Sequence, residues 1–596
     1  MNFLPKHKLS ARIGEWPFVK ALFENDFFGS LELELILEAK KLFSKLSEEM
    51  ALAIGFVSLA EKQGHLLIQY EKASLFPPSR VLGEIQERDD SLSFEKIDLA
   101  VTNGIKALEE LFQDLPSEEK ETSFILAEKK KLYLKKNWKQ EKEIVYQLKR
   151  ILSQKPTLKI NLDGFQALLS QKHSQNLFDE VQAKAINSII HHSLGLLTGG
   201  PGTGKTYTAA HALDLFFNSL SDDGKQNLDA AIAAPTGKAA SHFLAGLKKI
   251  VKDDWIEKAD CGTLHSLLGQ ENQFEESKEG WLSKDLVLID EASMIDSHLL
   301  LRLLKAMKAG SRLILIGDKH QLPPVDAGSL FGDFLDGFNK HVFFQTIISE
   351  LEKGKRQETE SLSLFGEAIL KEDIETALSY LKSDENLEWT EWGEKSKNSD
   401  LIKSILHENF NFLLEEEDSL DFLFSHLKRF CALTPLRKGL FGVEHLNSFF
   451  LKEIKKLNKK ETLVLPIMIT KNKASLQLFN GEIGFLFCKD PFQLQKGDRA
   501  YFQTKPQEFK EIPALLLPEF DLAFSFTIHK SQGSEFEKVL ILFGEEGANF
   551  GKEILYTAVT RAKRKLTLFS TEEILKKCVA FSGRRLSGLQ ERILDL

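Results

Sequence analysis

Residues Gly199–Thr206 read GGPGTGKT and directly follow the apolar run GLLT at positions 195–198. They satisfy the pattern G-x-x-x-x-G-K-[ST], in which a strand ends in a glycine-rich loop that opens a helix. Backbone N–H groups of such a loop surround the phosphates of a nucleotide, the lysine adds positive charge, and the last hydroxyl can bind Mg²⁺. The stretch therefore predicts a nucleoside triphosphate site built from Gly199, Gly200, Pro201, Gly202, Thr203, Gly204, Lys205 and Thr206.

A second apolar run, DLVLIDEASM at positions 285–294, ends in two adjacent carboxylates. Asp290 is expected to hold Mg²⁺ together with Thr206, directly or through water. Glu291 is expected to orient and deprotonate the water that attacks the γ-phosphate. An Asp-Glu pair at a strand end is usually a cap or a turn, but its place after a phosphate loop favours the catalytic interpretation. Kinases, transporters and motor proteins share both parts, so these two segments leave the reaction open.

Three later segments favour a motor protein. IGDKHQLPPVDAG places Gln321 just after a further strand, where its amide can sense a γ-phosphate. TIHKSQGSEF and YTAVTRAKRK bring further polar residues and Arg561 to a second sheet. An arginine that reaches across a domain cleft stabilises charge on the transferred phosphoryl group, and its place on a separate domain couples hydrolysis to closure.

The order of apolar runs predicts several domains. The first part of the chain is rich in Leu, Glu and Lys at helical spacing. Its Lys-rich segment 129–150 is typical of the solvated face of an amphipathic helix, and binding of a nucleic acid is the alternative. Beyond it, short apolar runs alternate with helical segments, as in parallel sheets whose working loops follow the strands. The predicted limits are 1–158 for a helical N-terminal domain, 159–345 for a first sheet domain, 346–454 with 514–596 for a second, and 455–513 for a small antiparallel barrel with an Asn480-Gly481 turn.

Composition indicates a soluble protein of several domains. The chain has 596 residues, 42% of them hydrophobic, and contains no apolar stretch of the roughly 20 residues that span a bilayer. The N-terminus lacks the pattern of a secretory signal, and the four cysteines lie too far apart for a zinc site or a disulfide framework. We therefore expect a cytoplasmic protein without a membrane partner. The net charge of −9 argues only weakly against nucleic acid, because positive charge can be confined to one groove.

From about Phe178 to the end, the sequence resembles the superfamily 1 DNA helicases and, within them, the RecD family of subunits of the RecBCD recombination nuclease. The resemblance rests on the ordered segments APTGKAA, TLHSLLG, LIDEASM, GDKHQLPPVDAG, FNGEIG, TIHKSQGSEF and LYTAVTRAKRKL. It implies an α/β fold with two RecA-like parallel-sheet motor domains, an SH3-like β-barrel insertion and a helical N-terminal domain. It also implies ATP and Mg²⁺ as cofactors and 5′ to 3′ movement along single-stranded DNA, which unwinds duplex from an end.

The resemblance assigns further residues to the site. Gln182 matches the glutamine that reads adenine, and Glu535 matches a position near the ribose. Positions that contact the γ-phosphate match Gln321, Arg356 and Arg561. Contacts to single-stranded DNA are implied for Pro235, Thr236, Thr263, His265, Thr527, His529 and Ser531. Such hydroxyls, amides and imidazoles contact phosphates without reading bases, which suits an enzyme that passes over any sequence.

Three functions remain open at the level of the sequence. The first is a helicase subunit that works with RecB- and RecC-like partners, and the absence of a helix-hairpin-helix segment ahead of the motor favours it. The second is a helicase that acts alone. The third is a regulatory subunit in which ATP binding only positions DNA. We find no carboxylate pair followed by lysine on a strand, so any cleavage of DNA is expected from another chain.

Overall fold

The N-terminal region combines helices with a small antiparallel sheet. The computed structural model describes residues 12–13, 15–43, 45–72, 74–83, 93–269, 280–324, 327–351, 360–391, 395–415, 419–505 and 507–596. The helices of this region are α1 (Pro17–Glu24), α2 (Ser30–Leu42), α3 (Glu48–Lys62), α4 (Ser79–Leu82), α5 (Phe94–Asp114), α6 (Ser117–Thr122) and α7 (Lys135–Leu152). The strands are β1 (Leu67–Glu71), β2 (Ser74–Phe76), β3 (Ile125–Glu128) and β4 (Lys131–Leu134), in the order β2-β1-β4-β3.

The prediction of a helical N-terminal domain is therefore incomplete, because the region also contains this sheet. The Lys-rich segment 129–150 begins as a turn and strand β4, and its helix α7 starts only at Lys135. The register pairs Glu128 with Lys131, so Lys129 and Lys130 alone form the turn between β3 and β4. Both have positive φ values, 49° and 65°. A turn with this geometry usually contains Asn-Gly, so two lysines at these positions do not predict it.

Helices α3 and α5 cross closely enough to require a glycine. A Cβ atom on Gly104 of α5 would lie 1.9 Å from the carbonyl oxygen of Glu49 in α3. The contact brings α3 into a core that includes Phe27, Phe28 and Phe56. The N-terminal region thus has a hydrophobic core of its own.

The first parallel sheet carries the phosphate loop. Its region contains the helices α8 (Leu162–Ser174), α9 (Glu180–His191), α10 (Lys205–Asn218), α11 (Asp222–Asn227), α12 (Gly237–Leu247), α13 (Trp255–Lys258), α14 (Leu264–Leu268), α15 (Ser297–Ala306) and α16 (Leu330–Lys340). Its strands are β5 (Leu194–Gly199), β6 (Ala230–Ala234), β7 (Asp260–Thr263), β8 (Leu286–Ile289), β9 (Arg312–Gly317) and β10 (Ile348–Leu351).

These strands run parallel in the order β10-β5-β9-β8-β6-β7. Strands β5, β6, β8 and β9 are buried along their whole length, because helices cover both faces of the sheet. Leu315 packs into the core on one face, and Ile316 packs into the core on the other. The continuous apolar runs of the sequence therefore become strands, and the loops after β5, β8 and β9 lie at one edge.

The remaining residues form a second parallel sheet and an inserted antiparallel sheet. Helices here are α17 (Glu360–Leu370), α18 (Ile374–Ser383), α19 (Lys395–Phe410), α20 (Leu420–Leu427), α21 (Val443–Leu457), α22 (Lys552–Val559), α23 (Glu572–Val579) and α24 (Leu589–Leu594). Strands are β11 (Leu387–Thr390), β12 (Phe430–Thr434), β13 (Leu463–Ile469), β14 (Ile483–Cys488), β15 (Arg499–Lys505), β16 (Glu508–Pro513), β17 (Phe520–Leu522), β18 (Ser525–Thr527), β19 (Phe536–Leu542) and β20 (Ala562–Phe569).

The second parallel sheet has the order β11-β20-β19-β12-β18, and the inserted sheet has the order β16-β15-β14-β13-β17. The predicted α/β class with two parallel sheets is confirmed. Asn480 and Gly481 form a turn before β14, with φ of +86° at Gly481. Strand β17 pairs with β13 although it follows residue 513, and the domain limits stay predictions.

Residues 582–596, which we call the C-terminal segment, connect separate parts of the fold. Leu66 N–H donates to the Leu586 carbonyl (2.9 Å), and Leu586 N–H donates to Nδ1 of His65 (3.0 Å). Further along, the buried carboxylate of Glu141 accepts from the backbone N–H of Gly588 at 2.8 Å. These bonds join the C-terminal segment to the N-terminal region.

The same segment also contacts both parallel-sheet regions. Arg584 makes ion pairs with Asp333 (2.7 Å) and Asp336 (2.6 Å) of α16. Gly583 N–H donates to Glu553 of α22 at 2.7 Å. Within the described ranges, none of the helices has the length and apolar character that crossing a bilayer requires.

Candidate nucleotide and DNA site

The phosphate loop joins buried strand β5 to helix α10. Gly202 and Gly204 have φ values of +75° and +91°, and these turns let the backbone curl around an anion. The Lys205 ammonium donates to the carbonyl oxygens of Gly199 (2.7 Å) and Gly200 (3.0 Å). The lysine thus lies across the mouth of the loop, where a phosphate would take over its hydrogen bonds.

Two glycines of the loop have neighbours too close for a Cβ atom. A Cβ atom on Gly199 would lie 2.7 Å from the carbonyl oxygen of Leu351. A Cβ atom on Gly204 would lie 2.9 Å from Nε2 of Gln182. Gln182 is buried, and its Oε1 accepts from Asp179 N–H in the capping box that opens α9. The glutamine expected to read adenine therefore lies beside the phosphate loop.

The acidic pair follows strand β8 as predicted. Burial, with Glu291 next in importance, raises the pKa of Asp290 to about 7, while Lys205 acts in the opposite direction. Glu291 adopts φ of +52°, an uncommon value for a residue other than glycine. One of its carboxylate oxygens lies 3.7 Å from the position that a Cβ atom would take on Gly533. Glu291 therefore faces the segment TIHKSQGSEF of the second sheet.

Gln321 lies at the cleft after β9 and is only 6% exposed. Its Nε2 donates to Oδ2 of Asp318 at 3.3 Å. Among the residues that the structure describes, its Oε1 has no hydrogen-bond partner. A buried acceptor without a donor costs free energy, so this oxygen is suited to receive a hydrogen bond from an attacking water.

Hydrogen bonds across the cleft join the loops of the two parallel sheets. Leu322 N–H donates to the hydroxyl of Thr557 at 3.0 Å. Lys238, at the start of α12, donates to the hydroxyl of Ser534 at 2.8 Å. The Tyr556 hydroxyl donates to Oδ2 of Asp318 at 3.3 Å. The segments that the sequence placed on separate domains therefore meet around the phosphate loop.

Arg561 is 3% exposed and is held by its own domain. Its guanidinium donates to the Thr557 carbonyl (3.0 Å), the Ser534 carbonyl (3.2 Å) and the Thr560 hydroxyl (3.2 Å). Its role toward a phosphate stays a prediction, as does that of Glu535, which pairs with Lys563 at 3.2 Å.

Arg356 lies outside the described residues. The contact of Arg356 with the γ-phosphate therefore stays a prediction.

The predicted DNA contacts of the first sheet follow two neighbouring strands. Pro235 and Thr236 come after β6, and Thr263 ends β7, which pairs with β6. Each threonine hydroxyl accepts a backbone N–H at the start of the next helix. His265 is exposed in α14. These residues share one edge of the sheet, and their contacts with DNA stay predictions.

The predicted DNA contacts of the second sheet follow β18. Burial, together with the charge of Arg585, lowers the pKa of His529 to about 4, so its ring is neutral at pH 7. Thr527 is half-buried, whereas Ser531 is 1% exposed and donates its hydroxyl to the Ile528 carbonyl at 2.7 Å. The Ser531 side chain thus points inward, and its predicted contact with DNA is untested.

Several residues at the cleft escaped the sequence interpretation. Asp318 lies inside the motif GDKHQLPPVDAG, and Tyr556 and Thr557 lie inside LYTAVTRAKRKL, but neither motif indicates a role for them. Phe479 of FNGEIG lies 3.4 Å from the position of a Cβ atom on Gly237, beside the predicted DNA contacts after β6. From the sequence alone, only their presence in a motif could indicate that these residues take part in the site. Their partners come from distant parts of the chain.

Two known families match this chain. Residues 182–327 match the AAA domain family, and residues 522–569 match the UvrD-like helicase C-terminal domain family. The first range contains the phosphate loop, the acidic pair and Gln321. The second contains β19, α22 and Arg561.

Individual related proteins identify the family of this chain more specifically than the two domain families do. The RecBCD enzyme subunit RecD of Mycobacterium tuberculosis is 30% identical over 78% of this chain and 80% of that protein, and the RecD subunit of Haemophilus influenzae is 29% identical over 78% and 80%. The ATP-dependent RecD2 DNA helicase of Deinococcus radiodurans is 27% identical over 73% of this chain but 54% of that protein. The Pif1 helicase of Candida albicans aligns with a TM-score of 0.38 at 16% identity, over 67% of this chain and 96% of that one. At 30% identity across most of both proteins, the chain belongs to the RecD family.

Proposed function

We propose that this chain is an ATP-dependent DNA helicase that moves 5′ to 3′ along single-stranded DNA as the RecD-type subunit of a complex with RecB- and RecC-like chains. The observation that carries the proposal is the set of hydrogen bonds across the cleft, in which loops of two parallel sheets meet at the phosphate loop. Opening and closing of such a cleft is what converts hydrolysis into movement.

In the hydrolytic step, the backbone of the phosphate loop and Lys205 bind the phosphates. Glu291 orients the attacking water and accepts its proton, and Gln321 offers its unpaired oxygen to the same water. Arg561 approaches the developing charge when the cleft closes. Gln182 recognises the adenine and Glu535 contacts the ribose.

Thr206 and Asp290 would hold Mg²⁺, which supplies charge neutralisation at the phosphate oxygens. The donor set fits this ion, because Mg²⁺ in such sites takes few protein ligands and completes its shell with phosphate and water.

The two parallel sheets serve as RecA-like motor domains, and the inserted antiparallel sheet serves as an SH3-like element beside the DNA. Single-stranded DNA crosses the loops after β6, β7 and β18, where Thr236, Thr263 and Thr527 lie at strand ends. The free thiols of the four cysteines support a cytoplasmic location.

Membership of a complex is supported by the relatives themselves, because the RecD proteins of Mycobacterium tuberculosis and Haemophilus influenzae, which this chain matches over about four fifths of their length, are subunits of RecBCD enzymes. The N-terminal region then serves as the surface that docks onto a partner subunit. The alternative is a helicase that acts without partners.

Replacement of Lys205 by Gln tests the motor. We expect single-stranded-DNA-stimulated ATP hydrolysis to fall by about 100-fold or more, because the charge facing the phosphates is lost. The matched control is Lys184→Gln, which changes an exposed lysine paired with Glu180 on α9. If Lys205→Gln leaves unwinding by the whole assembly unchanged, ATP binding only positions DNA and the motor proposal is wrong.

Purification from native lysate tests the partners. We expect stoichiometric RecB- and RecC-like chains, identified by mass spectrometry. A monomer that unwinds duplex efficiently by itself would favour the solitary helicase.

A further inference from the structure

One carboxylate in the cleft receives hydrogen bonds from both sides. Oδ2 of Asp318 accepts from Nε2 of Gln321, in the same loop, and from the hydroxyl of Tyr556 in α22, each at 3.3 Å. Its other oxygen, Oδ1, accepts from the backbone N–H of His320 at 3.0 Å. Asp318 is 1% exposed, so these donors replace water around a buried charge.

Tyr556 also reaches the phosphate loop. Its hydroxyl lies 3.1 Å from the position that a Cβ atom would take on Gly200. The tyrosine is 6% exposed, and its ring packs edge-on against His320, with centroids 6.2 Å apart. The hydroxyl is therefore fixed between the phosphate loop and Asp318.

The helix that carries Tyr556 continues to Arg561. The next residue, Thr557, accepts from Leu322 N–H through its hydroxyl and from Arg561 Nε through its carbonyl. One turn of backbone thus connects Tyr556, Arg561 and the hydrogen bond that Thr557 makes with Leu322 across the cleft. Tyr556 and Arg561 are therefore held in one hydrogen-bonded turn.

We propose that Tyr556 is a positioning residue that couples occupation of the γ-phosphate site to closure of the cleft, by sharing Asp318 with Gln321. The proposal rests on the proposed function, in which Gln321 engages the γ-phosphate and the attacking water. When the Gln321 amide turns toward them, Asp318 loses one donor. The Tyr556 hydroxyl then remains as its side-chain partner and holds the second sheet against the first.

This arrangement makes the Tyr556 hydroxyl most important to the Asp318 carboxylate when the γ-phosphate is bound. Without nucleotide, Gln321 still pairs with Asp318, so loss of the Tyr556 hydroxyl leaves the carboxylate one side-chain donor. With the γ-phosphate bound, the same loss leaves the buried carboxylate without any side-chain donor. Hydrogen bonds to charged groups are stronger than neutral ones, and a buried charge without partners is costly.

The test compares Tyr556→Phe with wild type in the full chain and its assembly. We expect the turnover number for ATP to fall about tenfold or more, the size expected for a lost hydrogen bond to a charged group. The KM for ATP and the melting temperature without nucleotide should change little. A Tyr556→Phe variant with wild-type turnover, or one whose melting temperature falls as its turnover does, would overturn the proposal.

A double-mutant cycle shows whether Tyr556 acts through Asp318. In an Asp318→Asn background, the hydroxyl no longer faces a charge, so adding Tyr556→Phe should reduce turnover by less than twofold. Effects that multiply as independent losses would contradict the coupling. The control is Tyr133→Phe, which removes another buried hydroxyl, one that interacts with Arg592 of the C-terminal segment. It should leave turnover unchanged.

Hydrolysis is measured with and without single-stranded DNA, which separates the two proposals. A wild-type chain that hydrolyses ATP without stimulation by DNA would contradict the helicase function, yet its basal turnover would still decide the role of Tyr556. A wild-type chain without any hydrolysis would overturn both.

Discussion

Glu291 combines an unusual backbone with a precise direction of its carboxylate. Its φ of +52° is maintained between strand β8 and a short helical turn, and it directs the side chain toward Gly533 across the cleft. Positive φ at such a residue is strained unless the surrounding structure supports it, and such strain clusters at functional sites. We therefore assign the strain to the placement of the carboxylate that we propose as the general base.

Replacement of Glu291 by Gln keeps the shape of this residue and removes its basicity. We expect ATP hydrolysis to fall by about 100-fold or more, the usual contribution of a general base, while ATP binding is kept. Steady-state hydrolysis and binding of a fluorescent ATP analogue measure the two effects. A variant that hydrolyses ATP at the wild-type rate would rule out Glu291 as the base.

At this scale, the sequence predicts the residues whose chemistry depends on neighbours along the chain. The phosphate loop and the acidic pair are examples, because each follows its own strand directly. Tyr556 and Asp318 could not be predicted as partners, since 238 residues separate them and only the approach of two sheets brings them together. The inward direction of Ser531 likewise depends on packing.

Among the elements, the hairpin of β3 and β4 shows where sequence patterns mislead. Two lysines occupy turn positions with positive φ, and the flanking Lys and Glu residues resemble a helix surface. The strands of the parallel sheets are predicted more easily, because burial on both faces requires an uninterrupted run of apolar residues.

Exchange of Lys129-Lys130 for Asn-Gly should stabilise this hairpin by about 1 kcal/mol, because Asn and Gly adopt positive φ with little strain. The backbone N–H of residue 130, which donates to Glu109 at 3.2 Å, is retained. Slower hydrogen–deuterium exchange across residues 125–134 would measure the gain. Lys129→Ala is the control and should give no gain, while faster exchange in the Asn-Gly variant would contradict the turn geometry.

For the whole molecule, the contacts between regions were beyond prediction. The sequence indicates two parallel sheets and an insertion. None of its patterns predicts that the C-terminal segment joins the N-terminal region to both sheets. Such contacts depend on single polar atoms, for example Nδ1 of His65, rather than on periodic apolar residues.

His65 makes this junction sensitive to pH. Burial, reinforced by Arg585, lowers the pKa of His65 to about 4, and its Nδ1 accepts from Leu586 N–H. Because the folded state favours the neutral ring, its contribution is complete above the unfolded pKa of about 6.5 and is lost as pH falls toward 4. Between pH 7 and pH 5 the loss amounts to about 2 kcal/mol.

Chemical unfolding of wild type and His65→Gln at both pH values measures this loss. The glutamine keeps an acceptor but does not titrate, so the stability advantage of wild type over the variant should shrink by about 2 kcal/mol on going from pH 7 to pH 5. An advantage that is the same at both pH values would contradict the assignment to His65.

The C-terminal segment also sets an order of events during synthesis. Residues 582–596 leave the ribosome after every residue that they contact, including Leu66 and Glu141. At about 5–20 residues per second, the N-terminal region therefore waits on the order of a minute before these bonds can form. During that interval the backbone groups around His65 and Leu66 stay open to a chaperone or an assembling subunit, and docking of the newly made segment 582–596 closes that access.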